Sequence, residues 1–439
     1  MINLLKEVTK LKNIISIFSF SCYNVLKYKC CFVEFEDAVI SMCEYFIQKN
    51  YIFTKVIQWG IQEIYDHADV KNNVKNNDKL KNYFSTFSNN VPYTHDELQY
   101  SNLLIKNVIQ CAKLQNGDEL VIENEDENGY VPMNSGSVAL VFKAQLNNLP
   151  VVIKILRPNI RNKIKEDVDV LLHFFDNIMI KSLVNYYIKI NFKTFITSNV
   201  EILLNQCDFM NEVTNATVFK DHFKNKKNII IPNFYTHFTE MFHEVIVMEY
   251  LDGPIAKNVP LERLNHYLEP LQSFFFDSLY RYKILHGDFH LGNIIIMNNG
   301  NSIGIIDFGI VYYLTDEISN NLFDIMFLSL ETNNIKNVYK ILKIAIGMNC
   351  LNKCQHEFVF KMLKEDKTII ELSRHEFSAN VLIKVINKIT SLENVDLVPD
   401  VCKLFLSTMS GLQTIEYTNS NKPLGTLLRV YMNKTIMIE

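Results

Sequence analysis

Apolar positions recur at three- and four-residue steps through Leu4, Leu5, Val8 and Leu11, and again through Val39, Met42 and Phe46. That period puts side chains on one face of a helix, so residues 1–66 are predicted helical. Lys71–Asn82 is rich in Asn, Lys and Asp and reads as a solvated loop. The helical period returns over 97–115 through Leu98, Leu103, Leu104, Val108 and Ile109. Residues 1–115 are therefore expected to form a helical N-terminal extension.

The pattern then shortens. Leu120–Ile122, Ser137–Leu146 and Pro150–Leu156 are short, β-branched runs separated by turn signals such as Asn147-Asn148, which predicts an antiparallel sheet. Residues 160–220 regain helical spacing, including Val168 and Leu171. Two further strands are expected at Ile229–Ile231 and His243–Tyr250, closed by the turn Asp252-Gly253-Pro254. From 261 the chain reads as helix, interrupted by an island of loop and short strand at 286–313. The fold class is α+β. The expected domains are 1–115, a sheet-rich lobe 116–253 with a helical insert at 160–220, and a helical lobe 254–439.

Composition narrows the function classes. Hydrophobic residues make up 48% and charged residues 21%, so the chain can bury a large core. Lys+Arg 44 against Asp+Glu 48 gives a net charge of −4, which argues against a whole-chain nucleic-acid binder. Nine loosely spread Cys suit reduced thiols and an intracellular setting. No run of 18 apolar residues is present. The stretch Ile14–Leu26, preceded by Lys6, Lys10 and Lys12, is broken by Ser, Cys and Asn and has no small-residue cleavage site, so no signal peptide is expected. The first Arg is Arg157, unlike an Arg-rich presequence. The expected location is cytoplasmic or at a membrane periphery.

The chemistry concentrates in the island. Five of the 13 glycines, Gly287, Gly292, Gly300, Gly304 and Gly309, fall there. His286-Gly287-Asp288-Phe289-His290-Leu291-Gly292-Asn293 is followed, after a strand–turn–strand, by Asp307-Phe308-Gly309. Phosphoryl transfer needs a carboxylate to orient the nucleophile, and a carboxylate with an amide oxygen to hold Mg²⁺. Asp288, Asp307 and Asn293 supply that set at the spacing of a D-x-x-x-x-N and D-F-G pair. His286 and His290 stand four apart, a spacing that would suit zinc on a helix; the glycines make this segment a loop, and positioning roles are expected instead. Upstream, Val151-Val152-Ile153-Lys154 presents one Lys at the end of an apolar strand, where it can meet nucleotide phosphates and a helix Glu. Glu212 is the best partner, 58 residues on. The nucleotide-covering loop would be Asn134-Ser135-Gly136-Ser137-Val138-Ala139. It has one glycine, and a plain β-turn accounts for the same residues. Ser135, Gly136 and Ser137 are its candidate phosphate contacts.

Together these residues resemble the UbiB-like atypical kinases, also called aarF-domain or ADCK-type proteins. The resemblance runs from about 50 to about 315. The family's V-A-V-K-V-Q-R-P is matched by Val151–Pro158, and its E-x-D-F-x-x-E-A-x-N by Gln206-Cys207-Asp208-Phe209, Glu212 and Asn215. Its H-x-D-x-H-x-G-N and D-F-G are matched by His286–Asn293 and Asp307–Gly309. Its hinge-side strand looks like Val245–Gly253, which brings Glu249 among the nucleotide contacts. The K-x-G-Q signature looks like Lys55-Val56-Ile57-Gln58, with Ile57 where Gly is expected. Gln206 replaces the first acid of E-x-D, and the alanine-rich loop is replaced by Asn134–Ser137. These departures fall in elements that restrain the family's kinase activity, so Lys55, Gln58, Gln206 and Asp208 are the candidate occluding or regulatory residues.

The resemblance implies a bilobal protein-kinase-like fold that uses ATP or ADP with Mg²⁺. It implies phosphoryl transfer or ATP hydrolysis linked to lipid or quinone metabolism, with a lipid or membrane surface as a partner. Two other readings stay open: a small-molecule kinase of the aminoglycoside or choline type, and a nucleotide-binding pseudokinase.

Overall fold

The computed structural model describes residues 2–49, 79, 83, 91–175, 200, 201, 203–328, 399–419 and 431. The chain forms two compact units. One is Met1–Cys207 with Tyr235–Val247, and the other is Asp208–Phe234 with Met248–Glu439.

The first unit opens with helices α1 (Ile2–Lys29) and α2 (Phe35–Lys49), held together by Phe20 stacked on Tyr45 at 4.1 Å. No helix among the described residues is long and apolar enough to cross a membrane. Helix α3 (His95–Cys111) starts at a capping box, in which Thr94 and Glu97 exchange backbone and side-chain bonds. Strands β1 (Leu120–Ile122), β2 (Asn134–Ser135), β3 (Ala139–Leu146) and β4 (Leu149–Leu156) follow. The β3–β4 hairpin pairs Leu146 with Leu149. Its two-residue turn has Asn147 at φ 50° and Asn148 at φ 65°; Asn tolerates this left-handed backbone, which matches the twist of the strands it joins. Helix α4 (Ile160–Phe175) comes next. Further along, strand β6 (Val245–Glu249) lies beside β4, giving the sheet order β1-β3-β4-β6 with β2 on β3. One face of the sheet packs on α3, burying Ile105 and Val108 against Phe142, Ile153 and Val247.

The second unit is built on helix α5 (Phe209–Phe223) and strand β5 (Ile229–Ile230), then helix α6 (Leu268–Phe276). Ala216, Phe219 and Phe223 of α5 join a core with Phe274, Phe275, Phe289 and Phe308. Helix α5 thus belongs to this unit, although residues 160–220 read in sequence as one insert of the sheet-rich lobe; its aromatic face decides which core it enters. Strands β7 (Ile284–His286), β8 (Ile294–Ile296), β9 (Ile303–Ile305) and β10 (Val311–Tyr313) make two small sheets. β8 pairs antiparallel with β9, which runs parallel to β5, and β7 pairs antiparallel with β10. Helix α7 (Asp316–Leu328) and helix α8 (Pro399–Thr418) complete it. Thr414 of α8 donates to the Phe289 carbonyl at 3.1 Å and so fastens the loop that carries Asp288.

Candidate active site

Asp288 lies on the loop between β7 and a single 3₁₀ turn, Leu291–Asn293. Asp307 lies between β9 and β10. Two glycines make this packing possible. A Cβ on Gly287 would sit 2.2 Å from Ile310 Cγ2, and one on Gly292 would sit 2.7 Å from the His290 ring. Neither site admits a side chain without displacing its neighbour.

His286 joins the two loops. Its Nε2 donates to the Asp307 carbonyl at 2.5 Å, and its Nδ1 accepts the Asp288 N–H at 3.3 Å. A carbonyl can only accept and an N–H can only donate, so these bonds select the neutral Nε2–H tautomer. The ring is fully buried and meets Phe219, Phe274, Phe289 and Phe308 edge-on, with centroids 5.5 to 6.0 Å apart. Burial pushes the imidazole pKa below its ordinary value, and the neighbouring Asp288 and Asp307 offset only part of that.

Asn293 closes the loop from the other side. Its Nδ2 donates to the Asp288 carbonyl at 3.0 Å and to Asp288 Oδ2 at 3.2 Å. The backbone returns the contact, with Ile306 N–H on the Asn293 carbonyl. His290 accepts the Gly292 N–H on Nδ1 at 2.9 Å, and its Nε2 lies 3.3 Å from Asn293 Nδ2 and 3.5 Å from Asp288 Oδ1. The Asp288 carboxylate is thus oriented by the Asn293 amide and flanked by the His290 imidazole. Asp307 Oδ1 accepts the Gly309 N–H at 3.1 Å.

The donor set fits Mg²⁺. With Nδ2 spent on Asp288, Asn293 offers Oδ1, and Asp307 offers a carboxylate. Magnesium takes hard oxygen ligands and is commonly held by one or two protein groups together with substrate phosphates. The described residues contain no group of three or more His, Cys, Asp or Glu that could hold a metal by themselves.

A link that the motif reading did not find comes from α5. Asn215 donates from Nδ2 to the Phe308 carbonyl at 3.0 Å, and its Oδ1 accepts the Tyr313 hydroxyl at 3.0 Å. The Asp307-Phe308-Gly309 turn is therefore held on one side by His286 and on the other by Asn215. In sequence Asn215 is the last residue of the E-x-D-F-x-x-E-A-x-N match, which names the residue but not its partner.

Other candidates stand as follows. Glu212 is in the first turn of α5 and is buried. Asp208 caps that helix, accepting the Asn211 N–H at 3.1 Å, and Gln206 just before it is buried. Glu249 accepts both the backbone N–H and the side-chain amide of Asn233, at 3.0 and 2.8 Å. In the first unit, Lys154 stands on β4 within an apolar run, 8% exposed. Ser135 and Ser137 are buried. The Ser135 hydroxyl donates to the Val91 carbonyl at 2.6 Å and accepts from Arg157, while the Gly136 carbonyl accepts from Arg157. Lys55 and Gln58 lie outside the described residues.

The loop 286–293, the Asp-Phe-Gly turn and the mixed sheet and helix fit a protein of kinase-like fold. Residues 126–342 match the model of the ABC1 atypical kinase-like domain. Over this stretch the chain is similar to the UbiB-like atypical kinases, whose names its relatives carry. A probable protein kinase UbiB of Blochmanniella pennsylvanica is 30% identical over 173 residues, 38% of this chain and 31% of the relative. A probable serine/threonine-protein kinase, abkB, of Dictyostelium discoideum is 26% identical over 297 residues, 64% of this chain and 39% of the relative. The matched region therefore spans about a third of the length of these curated relatives. A solved complex of Rv3197 with erythromycin from Mycobacterium tuberculosis covers 85% of this chain and 99% of its own, at 15% identity and a TM-score of 0.41, a likeness too loose to bear on function.

Proposed function

We propose that this chain is an ATP-dependent phosphotransferase or ATPase. The observation that carries the reading is the joint placement of Asp288, Asn293 and Asp307 in one unit, through the His286 bridge and the Asn293–Asp288 bonds. Asp288, half-buried, oriented by Asn293 and flanked by His290, accepts the proton of the attacking hydroxyl or water. Asn293 Oδ1 and the Asp307 carboxylate are the ligands for Mg²⁺, which when bound neutralises charge on the transferring phosphate. Lys154, in the V-x-I-K strand, is the phosphate-contacting lysine, and Glu212 is the candidate catalytic carboxylate of α5. In the loop Ser135–Ser137, the Ser135 and Gly136 N–H groups are spent on Asn134 Oδ1 and the Ala139 carbonyl, so the Ser137 N–H is the amide that meets phosphate. Glu249 sits at the hinge-side strand that contacts the base. Lys55, Gln58, Gln206 and Asp208 serve to restrict the acceptor. The family resemblance supports an acceptor in lipid or quinone metabolism and a lipid surface as partner.

The test is nucleotide binding and turnover with and without Mg²⁺, repeated with vesicles present. Asp307→Asn and Lys154→Ala should each lower turnover by a hundredfold or more, about 3 kcal/mol of transition-state stabilisation. Unchanged binding and hydrolysis in both variants would show that the site is wrongly assigned. A nucleotide-dependent thermal shift without turnover would favour a pseudokinase. Rapid stoichiometric phosphorylation of an aminoglycoside, choline or a polyol would favour a small-molecule kinase.

A further inference from the structure

Arg157 is 2% exposed, and its guanidinium bonds to two segments that are distant in sequence. Nη1 donates to the Pro92 carbonyl at 3.1 Å and to Glu97 Oε2 at 2.7 Å. Nη2 donates to the Val91 carbonyl at 3.2 Å, to Ser135 Oγ at 2.8 Å and to the Gly136 carbonyl at 2.9 Å. Nε reaches the same Gly136 carbonyl at 3.2 Å. The segments also bond to each other: Val91 N–H to the Ser135 carbonyl at 2.9 Å, and Ser135 Oγ to the Val91 carbonyl. Glu97, the counter-ion, is itself buried and fixed as the third residue of a capping box, with Lys163 on its other oxygen at 3.2 Å. Burial pushes the Glu97 carboxyl up, but the Thr94 N–H and the charges of Arg157 and Lys163 outweigh it and hold the group below the usual range. A planar fork of five donors is what this bridging needs. A lysine could meet the Glu97 charge but not the carbonyls on either side of it.

The backbone of loop 134–138 is thus not free to flap. It is hung from a buried arginine that equally holds the chain at 91–97, the approach to helix α3. We propose that Arg157 is a positioning residue which makes segment 91–97 and loop 134–138 one mechanical unit, so that any displacement of segment 91–97 changes nucleotide affinity. This rests on the reading that loop 134–138 contacts the nucleotide. Arg157 spends its donors on carbonyls, a hydroxyl and a carboxylate, and sets the height of a ledge whose Ser137 amide is the one left to meet phosphate.

Arg157→Lys in the full chain tests this, since the charge opposite Glu97 is kept and the fork is lost. Two or three bridging bonds go, so hydrogen exchange at the Val91 and Gly136 amides should speed up together, roughly tenfold or more. The dissociation constant for Mg·ATP should rise about tenfold at unchanged binding stoichiometry. A merely structural role would lower the fraction of competent protein at an unchanged constant. Ser135→Ala, which removes one relay without stranding a charge, should move both readouts in the same direction by less, and it carries the test if the lysine variant does not fold. Faster exchange in only one of the two segments overturns the coupling, and so does a lower stoichiometry at unchanged affinity. If the wild-type chain binds no nucleotide, the functional reading of the loop fails while the exchange data still decide whether the clamp exists.

Discussion

Replacing His286 by Phe probes the bridge between the loops that carry Asp288 and Asp307. Phe keeps most of the ring volume inside the cage of Phe219, Phe274, Phe289 and Phe308, so packing changes little. What is lost is the pair of bonds to the Asp307 carbonyl and the Asp288 N–H. Each stranded polar group costs about 1–3 kcal/mol, so the variant should be destabilised by about 2–5 kcal/mol near pH 7.5. The pH dependence gives a sharper signature. The folded imidazole has a depressed pKa while the unfolded one titrates near 6.5. Below 6.5 the unfolded chain binds a proton that the folded chain refuses. Wild-type stability therefore falls with pH, by up to about 1.4 kcal/mol per unit, until the folded pKa is reached. The Phe variant has no such proton to take up. The stability gap between the two should be largest above pH 7 and shrink as pH falls towards 5. Urea unfolding followed by near-ultraviolet circular dichroism of the two proteins at pH 7.5, 6 and 5 measures it. A gap that stays constant or widens on acidification would refute both the neutral tautomer and its role as the bridge.

Further outcomes follow from neighbouring contacts. Asn215→Ala should cost about 1–3 kcal/mol by stranding the Phe308 carbonyl, and a double-mutant cycle with Tyr313→Phe should return a coupling of about 0.5–1.5 kcal/mol for the Tyr313–Asn215 bond. Gly287→Ala should destabilise by about 1–3 kcal/mol because its Cβ would lie 2.2 Å from Ile310 Cγ2. The same change in an Ile310→Ala background should cost less, as read by thermal denaturation. Asp277→Asn should weaken the second unit, most clearly at neutral pH. Burial pushes the Asp277 carboxyl up, but bonds from Lys226, Tyr431 and Ser273 outweigh it and hold the group below its usual range. That stability is present above about pH 4 and lost as pH falls further, so the wild-type and Asn proteins should converge in acid.

Much of this protein was legible one residue at a time. The β3–β4 hairpin was set by two alternating apolar runs around Asn147-Asn148, because a left-handed two-residue turn is a local property of the residues in it. The Asp288, Asn293 and Asp307 set could be read because its members lie within 20 positions, on short strands whose turns fix their spacing. Where α5 packs was not local. Its helical period is as compatible with the sheet-rich unit as with the helical one, and the fit of Phe219 and Phe223 among Phe274, Phe289 and Phe308 decides the matter. Arg157 read only as the first Arg of the chain and as part of the Val151–Pro158 match, since its partners lie 60 to 66 residues upstream and about 20 upstream in another loop. Asn215 likewise sits 93 residues from the carbonyl it holds. Chemistry carried by neighbouring residues is written in the order of the chain. Chemistry that orients those residues comes from side chains brought together by core packing, and a buried donor finds its acceptor only once that core has closed.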